Sequence, residues 1–360
     1  MFSFRELNQV HLEITNRCQA SCPMCSRNYH GGLDNPWLEL NSWSLDDYKT
    51  IMSEEVLHQL NSVSFCGNYG DPLMNKDLVE MCKYTTQVNP NISIRIHTNA
   101  SIQNKKYWKE LAKSLPDNHI VIFAIDGLKD TNHIYRIGTV FDKIIENAKA
   151  FIAAGGNAEW AFLVFKHNEH QIEEAEKMAK SLGFKMFTKK NSNRFLLTEE
   201  YPVFDKAGNT IYNLQPATGN QIVFIDANMI KNYKTIVKKS EISCFAKNNN
   251  EVYIDAQGNL FPCCFIGMTP YNYYETTELV YSIRHEMMSQ YQGLINDFGG
   301  LEKLNAKTYG IKSIIDGDVY QNIWGKYWTD PKMIVCARTC GKNEISKPMD
   351  QFIKRENLDG

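Results

Sequence analysis

Cys18, Cys22 and Cys25 fall within eight residues at the spacing Cys-x3-Cys-x2-Cys, in the run Cys18-Gln19-Ala20-Ser21-Cys22-Pro23-Met24-Cys25. One short loop therefore offers three thiolates, the ligands that iron–sulfur clusters and zinc take. Structural zinc normally closes its shell with four ligands, usually two separated Cys-x2-Cys pairs, and no second pair of that spacing follows within the next 40 residues. Three thiolates leave a cubane 4Fe–4S cluster with one iron open to another ligand. The competing reading is three unrelated buried thiols, which have no reason to crowd into a Pro-containing loop.

A second group of thiols lies far downstream: Cys244, Cys263, Cys336 and Cys340, with Cys264 as a spare. Four thiolates suit either a fully ligated iron–sulfur cluster or structural zinc, which tolerates long separations between ligands. Glu251 to Asp255 and Asn259 to Cys263 flank Ala256-Gln257-Gly258 and read as a β-hairpin, with Gly258 supplying a positive-φ position. While the strand continues, neighbours such as Cys263 and Cys264 point to opposite faces and do not serve one cluster. Cys66 and Cys82 fall in a strand and a helix and read as core residues.

The chain that must position these thiols has 360 residues, enough for two domains, with 43% hydrophobic and 22% charged residues as in soluble globular proteins. A formal net charge of −2 and the lack of any basic arm give no case for a nucleic-acid or anionic-membrane partner. Apolar runs are far too short for a membrane span and the N-terminus lacks a signal-peptide core, so a cytoplasmic protein is expected. Ten cysteines in such a chain point to metal rather than disulfides, and eight of them lie in the two groups.

Val10 to Ile14 alternates like a half-buried strand and runs into the cysteine loop. Ser44 is a candidate N-cap, with Asp46 and Asp47 in the first turn of a helical stretch reaching about Leu60. Strands at Val63 to Cys66, Ser93 to His97, His119 to Ile125, Glu159 to Phe165 and Phe184 to Thr188 then alternate with helices at Asp77 to Thr86, Asn104 to Leu115, Phe141 to Ala154 and His170 to Leu182. This alternation argues for parallel βα units, and six units predict an α/β fold of partial (β/α)6 TIM-like barrel form. Ligand-binding groups are then expected at the C-terminal ends of the strands. Lys189 to Gln221 loses regular periodicity and reads as a linker or substrate-covering loop, and a boundary near Ser240 divides residues 1–238 from residues 239–360.

The cysteine triplet after the first barrel strand resembles the signature of the radical SAM superfamily, and the hairpin with Gly258-x4-Cys263 resembles the Twitch domain, a shortened SPASM domain. The resemblance implies a smaller C-terminal α+β domain with an auxiliary 4Fe–4S cluster on Cys244, Cys263, Cys336 and Cys340. It implies that Cys18, Cys22 and Cys25 hold the cluster whose open iron binds the amino and carboxylate groups of S-adenosylmethionine. Met24 occupies the position that often touches adenine in the family, although it also suits ordinary packing. Gly67-Asn68-Tyr69-Gly70-Asp71-Pro72 is similar to the family's Gly-Gly-Glu-Pro turn, departing at Tyr69 and Asp71. Thr98-Asn99 resembles a Thr-Asn-Gly turn, with Ala100 in place of the glycine. Ala124-Ile125-Asp126-Gly127 resembles a Ser-Ile-Asp-Gly segment, with Asp126 facing ribose and Arg136 pairing with the cofactor carboxylate; an Asp-Gly turn and a surface arginine are the plainer readings.

The function this implies is reductive cleavage of S-adenosylmethionine to a 5′-deoxyadenosyl radical that abstracts a substrate hydrogen. The substrate is a small molecule or a peptide, the outcome an oxidative, oxidoreductase-type modification, and the electron donor a protein such as flavodoxin or ferredoxin. Only 17 residues precede Cys18, so no fused leader-peptide domain is expected, and the ending Asn357-Leu358-Asp359-Gly360 lacks the Gly-Gly tail of the molybdenum-cofactor cyclase. The alternative from another class is a non-catalytic zinc or iron–sulfur scaffold. No residue is singled out as proton donor or acceptor. Aromatics between the cysteine groups, Tyr271, Tyr273, Tyr274, Trp324, Tyr327 and Trp328, read as packing or as a cover over the barrel.

Overall fold

The structure is a computed structural model, and it describes all residues except 193, 196–199, 220–226, 272–277, 330–331, 343–351 and 359–360. Strands β1 (Gln9–Leu12), β2 (Ser62–Phe65), β3 (Ser93–Thr98), β4 (His119–Ala124), β5 (Ala158–Val164) and β6 (Met186–Asn191) pair in parallel in that order. A hairpin of β7 (Tyr201–Phe204) and β8 (Thr210–Leu214) follows, then β9 (Glu251–Ile254), β10 (Leu260–Phe261) and β11 (Phe352–Asn357). The sheet order is β10-β9-β1-β2-β3-β4-β5-β6-β11, so the sheet stays open between two antiparallel edges. This is the expected partial barrel. The downstream hairpin extends it, because β9 pairs in parallel with β1 from Gln9↔Glu251 to Leu12↔Ile254.

Helices cover the outer face. α1 (Leu45–Ile51) opens on a capping box, in which Asp47 N donates to Ser44 Oγ at 3.1 Å and Ser44 N donates to Asp47 Oδ2 at 2.9 Å. Ser53 caps a second short helix, α2 (Glu54–Gln59), so the helical stretch expected to reach Leu60 is broken in two. α3 (Leu78–Val88), α4 (Lys105–Ser114), α5 (Phe141–Ala153) and α6 (Ile172–Leu182) follow β2, β3, β4 and β5, and Gly183 closes α6 at φ +85°. Their apolar stripes meet the outward residues of the strands: Leu12, Phe65, Ile96, Val121, Phe123, Trp160 and Phe187 join one core with Trp108, Leu111 and Phe151. Trp108 stacks on Phe123 at 5.2 Å. The alternate residues of each strand face the concave side.

Residues 201–214 are not a featureless linker. β7 and β8 clasp the segment after the cysteine loop: Phe204 N donates to His30 O at 2.9 Å, and His30 Nδ1 lies 2.7 Å from Pro202 O. No helix among the described residues is long and apolar enough to cross a membrane.

Candidate cluster and cofactor site

β1 ends at Leu12, and the next residue, Glu13, is only 1% exposed. Its carboxylate accepts from Tyr69 N at 2.8 Å, Gly70 N at 3.1 Å and Tyr253 Oη at 2.5 Å. Burial, partly offset by these bonds, pushes Glu13 up to about 7. One acid thus staples the cysteine loop, the Gly67–Asp71 turn and β9 together. Sequence reading passed over Glu13. Its signal was an acid at an alternating strand position directly before the cysteine loop.

The turn itself needs its glycines. A Cβ on Gly70 would stand 2.0 Å from Thr15 O, and one on Gly67 would stand 1.8 Å from Gly70 O. Asp71 accepts from Thr98 Oγ1 at 2.9 Å, Asn99 N at 2.8 Å, Asn99 Nδ2 at 2.6 Å and Leu73 N at 3.0 Å. Asp71, Thr98 and Asn99 are therefore one hydrogen-bonded unit across the ends of β2 and β3. Burial raises the Asp71 carboxyl against these bonds.

This unit borders the thiols. Asn99 Nδ2 lies 3.6 Å from Cys18 Sγ, and the Cys25 thiol lies 3.9 Å from Asn68 O. On the other side Arg136 Nη1 lies 3.8 Å from Cys22 Sγ, while its Nε donates to Asp126 Oδ2 at 2.5 Å. Asp126 also accepts from Leu163 N at 2.7 Å. Met24 is 6% exposed, its sulfur 3.6 Å from Ser192 Oγ and its carbonyl in contact with Arg194. Every residue that the motifs singled out (Met24, Gly67, Asn68, Gly70, Asp71, Thr98, Asn99, Asp126 and Arg136) thus gathers around the three thiols at the C-terminal ends of the first four strands.

The donor set fits a cluster. Burial pushes the Cys18 and Cys22 thiols up, with neighbouring acids adding to it, and only the Arg136 cation opposes this at Cys22. Three thiolates on one such loop are stabilised by a cationic centre; among the described residues no three such groups stand close enough to share a single metal ion, so the group that suits them is one that spans more space. Asn68 Nδ2 is also buried beside Cys25 with no acceptor, a donor suited to a bound polar group.

The downstream thiols also converge. Cys336 and Cys340 stand one turn apart on α7 (Ile334–Cys340), and Ser243 N donates to Cys340 O at 2.9 Å, bringing Cys244 alongside. Cys244, Cys263, Cys336 and Cys340 line one pocket with Trp328, Pro262, Phe265 and Ile266. A bond shared with Cys340 lowers Cys244 to about 7, and burial raises Cys263 to about 12. The strand does not continue through Cys263, as the alternation argument assumed: Cys263 caps a short helix, Cys264–Gly267. Cys264 still stays out of the pocket lining. Cys66 is not core either, since it follows β2 on the concave side and is half-buried. Tyr327 packs, 6% exposed, and Trp328 lines the thiol pocket, whereas Tyr273 and Tyr274 and the side chains of Tyr271 and Trp324 lie outside the described residues.

Residues 12–182 match the sequence model of the Radical SAM superfamily. A PqqA peptide cyclase of Bradyrhizobium diazoefficiens is 35% identical over 103 residues, 29% of this chain and 25% of that protein. The FeMo cofactor biosynthesis protein NifB of Methanocaldococcus jannaschii is 28% identical over 125 residues, 34% of this chain and 41% of that protein. The matched stretch therefore spans well under half of either relative. Among solved structures, anSMEcpe with bound AdoMet superposes at a TM-score of 0.52 with 14% identity, covering 96% of this chain and 88% of that one. Streptococcus suis SuiB bound to precursor peptide SuiA superposes at 0.50 with 17% identity, covering 88% and 66%. At these identities the likeness is one of fold.

Proposed function

From the match of residues 12–182 to the Radical SAM superfamily we propose that this chain is a radical SAM enzyme that cleaves S-adenosylmethionine reductively and modifies a peptide or a small molecule by hydrogen abstraction. The observation that carries this reading is the convergence of Cys18, Cys22 and Cys25 with the Asp71–Thr98–Asn99 unit and the Arg136–Asp126 pair. When bound, the 4Fe–4S cluster and S-adenosylmethionine supply an electron and a 5′-deoxyadenosyl radical.

The chain's own residues bind and orient. Cys18, Cys22 and Cys25 hold the cluster. The backbone of Gly67 to Gly70, kept tight by Glu13, and the buried Asn68 amide offer hydrogen bonds to the amino acid end of the cofactor. Asp71 is already saturated by Thr98 and Asn99, so it acts by fixing Asn99 beside Cys18. Asp126 fixes Arg136, whose remaining N–H groups are the cationic partner for a carboxylate. Met24 and the β7–β8 hairpin close the loop's outer side and limit water.

The four thiols of the downstream pocket are read as ligands of an auxiliary 4Fe–4S cluster. Four protein ligands leave no open iron, which favours electron relay and an oxidative, oxidoreductase-type outcome. A one-electron carrier protein, flavodoxin or ferredoxin, supplies the electron for cleavage and takes back the one drawn off through the auxiliary site, which completes the balance. The PqqA peptide cyclase likeness and the bound precursor peptide in SuiB support a peptide substrate.

The test is anaerobic purification, reconstitution and reduction with S-adenosylmethionine. A brown protein that forms 5′-deoxyadenosine, and a Cys22→Ala variant that forms none, is the expected result. A colourless zinc protein, or no 5′-deoxyadenosine, overturns the proposal.

A further inference from the structure

Tyr69 stands where the Gly-Gly-Glu-Pro turn that this segment resembles has its first glycine. Nothing in its backbone asks for glycine, since its φ is not positive. The residue is 4% exposed, and its phenol runs out of the turn to donate from Oη to Met268 O at 3.0 Å. That acceptor lies 199 residues downstream, beside the second group of thiols.

Met268 closes the one-turn helix Cys264–Gly267, and Cys263, a thiol of the downstream pocket, opens it. Inside it Gly267 N donates to Cys263 O at 3.2 Å and Met268 N donates to Cys264 O at 2.9 Å. A helix of four residues is too short to hold itself together in water, and the carbonyl at its end finds no donor within the helix. Its order rests on contacts outside itself. Ile266 is buried, and Gly267 lies so close to Tyr253 that a Cβ would stand 2.6 Å from the ring. At the far end the Tyr69 phenol supplies the missing donor.

Tyr253 leads back to the same turn by a second route. Its ring stacks on Phe261, two residues before Cys263, with centroids 6.5 Å apart. Its Oη donates to Glu13, which also accepts from Tyr69 N and Gly70 N. Tyr69 is thus held twice, by its backbone N–H through Glu13 and Tyr253 and by its phenol through Met268. Both holds end on the segment around Cys263.

We propose that Tyr69 is a positioning residue that makes the downstream thiol pocket part of the S-adenosylmethionine site. Ligation at Cys263 fixes the one-turn helix, the helix fixes the Tyr69 phenol, and the phenol fixes the backbone of Tyr69 and Gly70 that receives the amino end of the cofactor. The inference rests on the reading of both thiol groups as cluster ligands. The coupling is reciprocal, so cofactor on the turn steadies the helix as much as ligation at Cys263 steadies the turn.

The test measures S-adenosylmethionine affinity by equilibrium dialysis on the anaerobically reconstituted, oxidised proteins, in which no cleavage occurs. Tyr69→Phe removes the hydroxyl and keeps the ring, and is expected to weaken binding about fivefold, the worth of one hydrogen bond. Cys336→Ala with Cys340→Ala leaves Cys263 and Tyr69 in place and is expected to weaken binding by a similar factor. The triple variant should weaken it no further, because all three changes cut one chain of contacts. Should the cysteine variant not fold, Gly267→Ala pushes the helix off Tyr253 without touching a thiol and takes its place in the cycle. With reductant present, 5′-deoxyadenosine formation by Tyr69→Phe is expected to show a raised KM and an unchanged kcat, whereas general damage to the fold would lower kcat. Wild-type affinity in Tyr69→Phe, losses that multiply in the combined variant, or a lowered kcat at unchanged KM overturns the proposal. Iron content and wild-type binding are read alongside. A cysteine variant that keeps all its iron refutes the downstream cluster, and a wild type that binds no S-adenosylmethionine refutes the cofactor reading, so each is told apart from failure of the link itself.

Discussion

Arg136 donates Nε–H to Asp126 at 2.5 Å, and with its other arm it reaches to 3.8 Å from the Cys22 sulfur. Asp126 is 1% exposed on its side chain, so the guanidinium is the ion-pair partner of a buried acid. Arg136→Gln leaves that acid unpaired and is expected to lower stability by about 3 kcal/mol. Arg136→Lys should recover part of it. Urea unfolding of the metal-free proteins measures both, and a loss below about 0.5 kcal/mol for Arg136→Gln would count against the pair.

Glu13 gives a pH signature. Its folded pKa of about 7 stands above the ordinary 4.5, so the protonated acid is favoured in the folded state. That contribution is fully present below about pH 4.5 and is lost as pH rises toward about 7. Wild type should therefore lose stability relative to Glu13→Gln across this window. Paired urea titrations at about pH 5 and pH 8 read the difference, and a pH-independent gap would refute the assignment.

Two glycines offer a contrast. Gly70→Ala drives a methyl into the Thr15 carbonyl, and an expected loss of about 1–3 kcal/mol should come with poorer iron retention. Gly325, within the helix Asp318–Thr329, has nothing within 4 Å of an added Cβ. Gly325→Ala should stabilise the protein by up to about 1 kcal/mol and leave iron unchanged. Thermal melts and iron content decide, and equal behaviour of the two variants would remove the case for close packing at Gly70.

The thiol pocket predicts a count. Cys336→Ala with Cys340→Ala should reduce iron from about eight to about four per chain, keep uncoupled formation of 5′-deoxyadenosine and abolish product. Cys264→Ala, outside the pocket lining, should leave the iron count at the wild-type value. Loss of iron on changing Cys264 would reassign the ligand.

Local patterning made much of this legible. The βα alternation, the cysteine loop and the Gly258 turn, at φ +91°, are set by neighbours in the chain. Pairings between distant segments were not. Nothing in Val252 or Ile254 says that their strand adds to β1, because a short apolar strand is compatible with either sheet edge. The β7–β8 hairpin was hidden by polar, exposed residues such as Thr210 and Asn213, which blur alternation. Arg95 and His97 alternate with buried Ile94 and Ile96, as any strand half-exposed to water does. Only the closing curve of the sheet turns that polar face into a lumen.

The parallel pairing of β1 with β9 also constrains the order of events on the ribosome. Gln9–Leu12 are made well before residues 251–254, so one flank of that strand finds its partner only when the later segment emerges. At about 5–20 residues per second the nascent barrel carries an open edge above the cysteine loop for many seconds. On the proposed function, metal loading on Cys18, Cys22 and Cys25 has a window before Tyr253 arrives to bind Glu13, and slowing translation upstream of residue 251 should lengthen it.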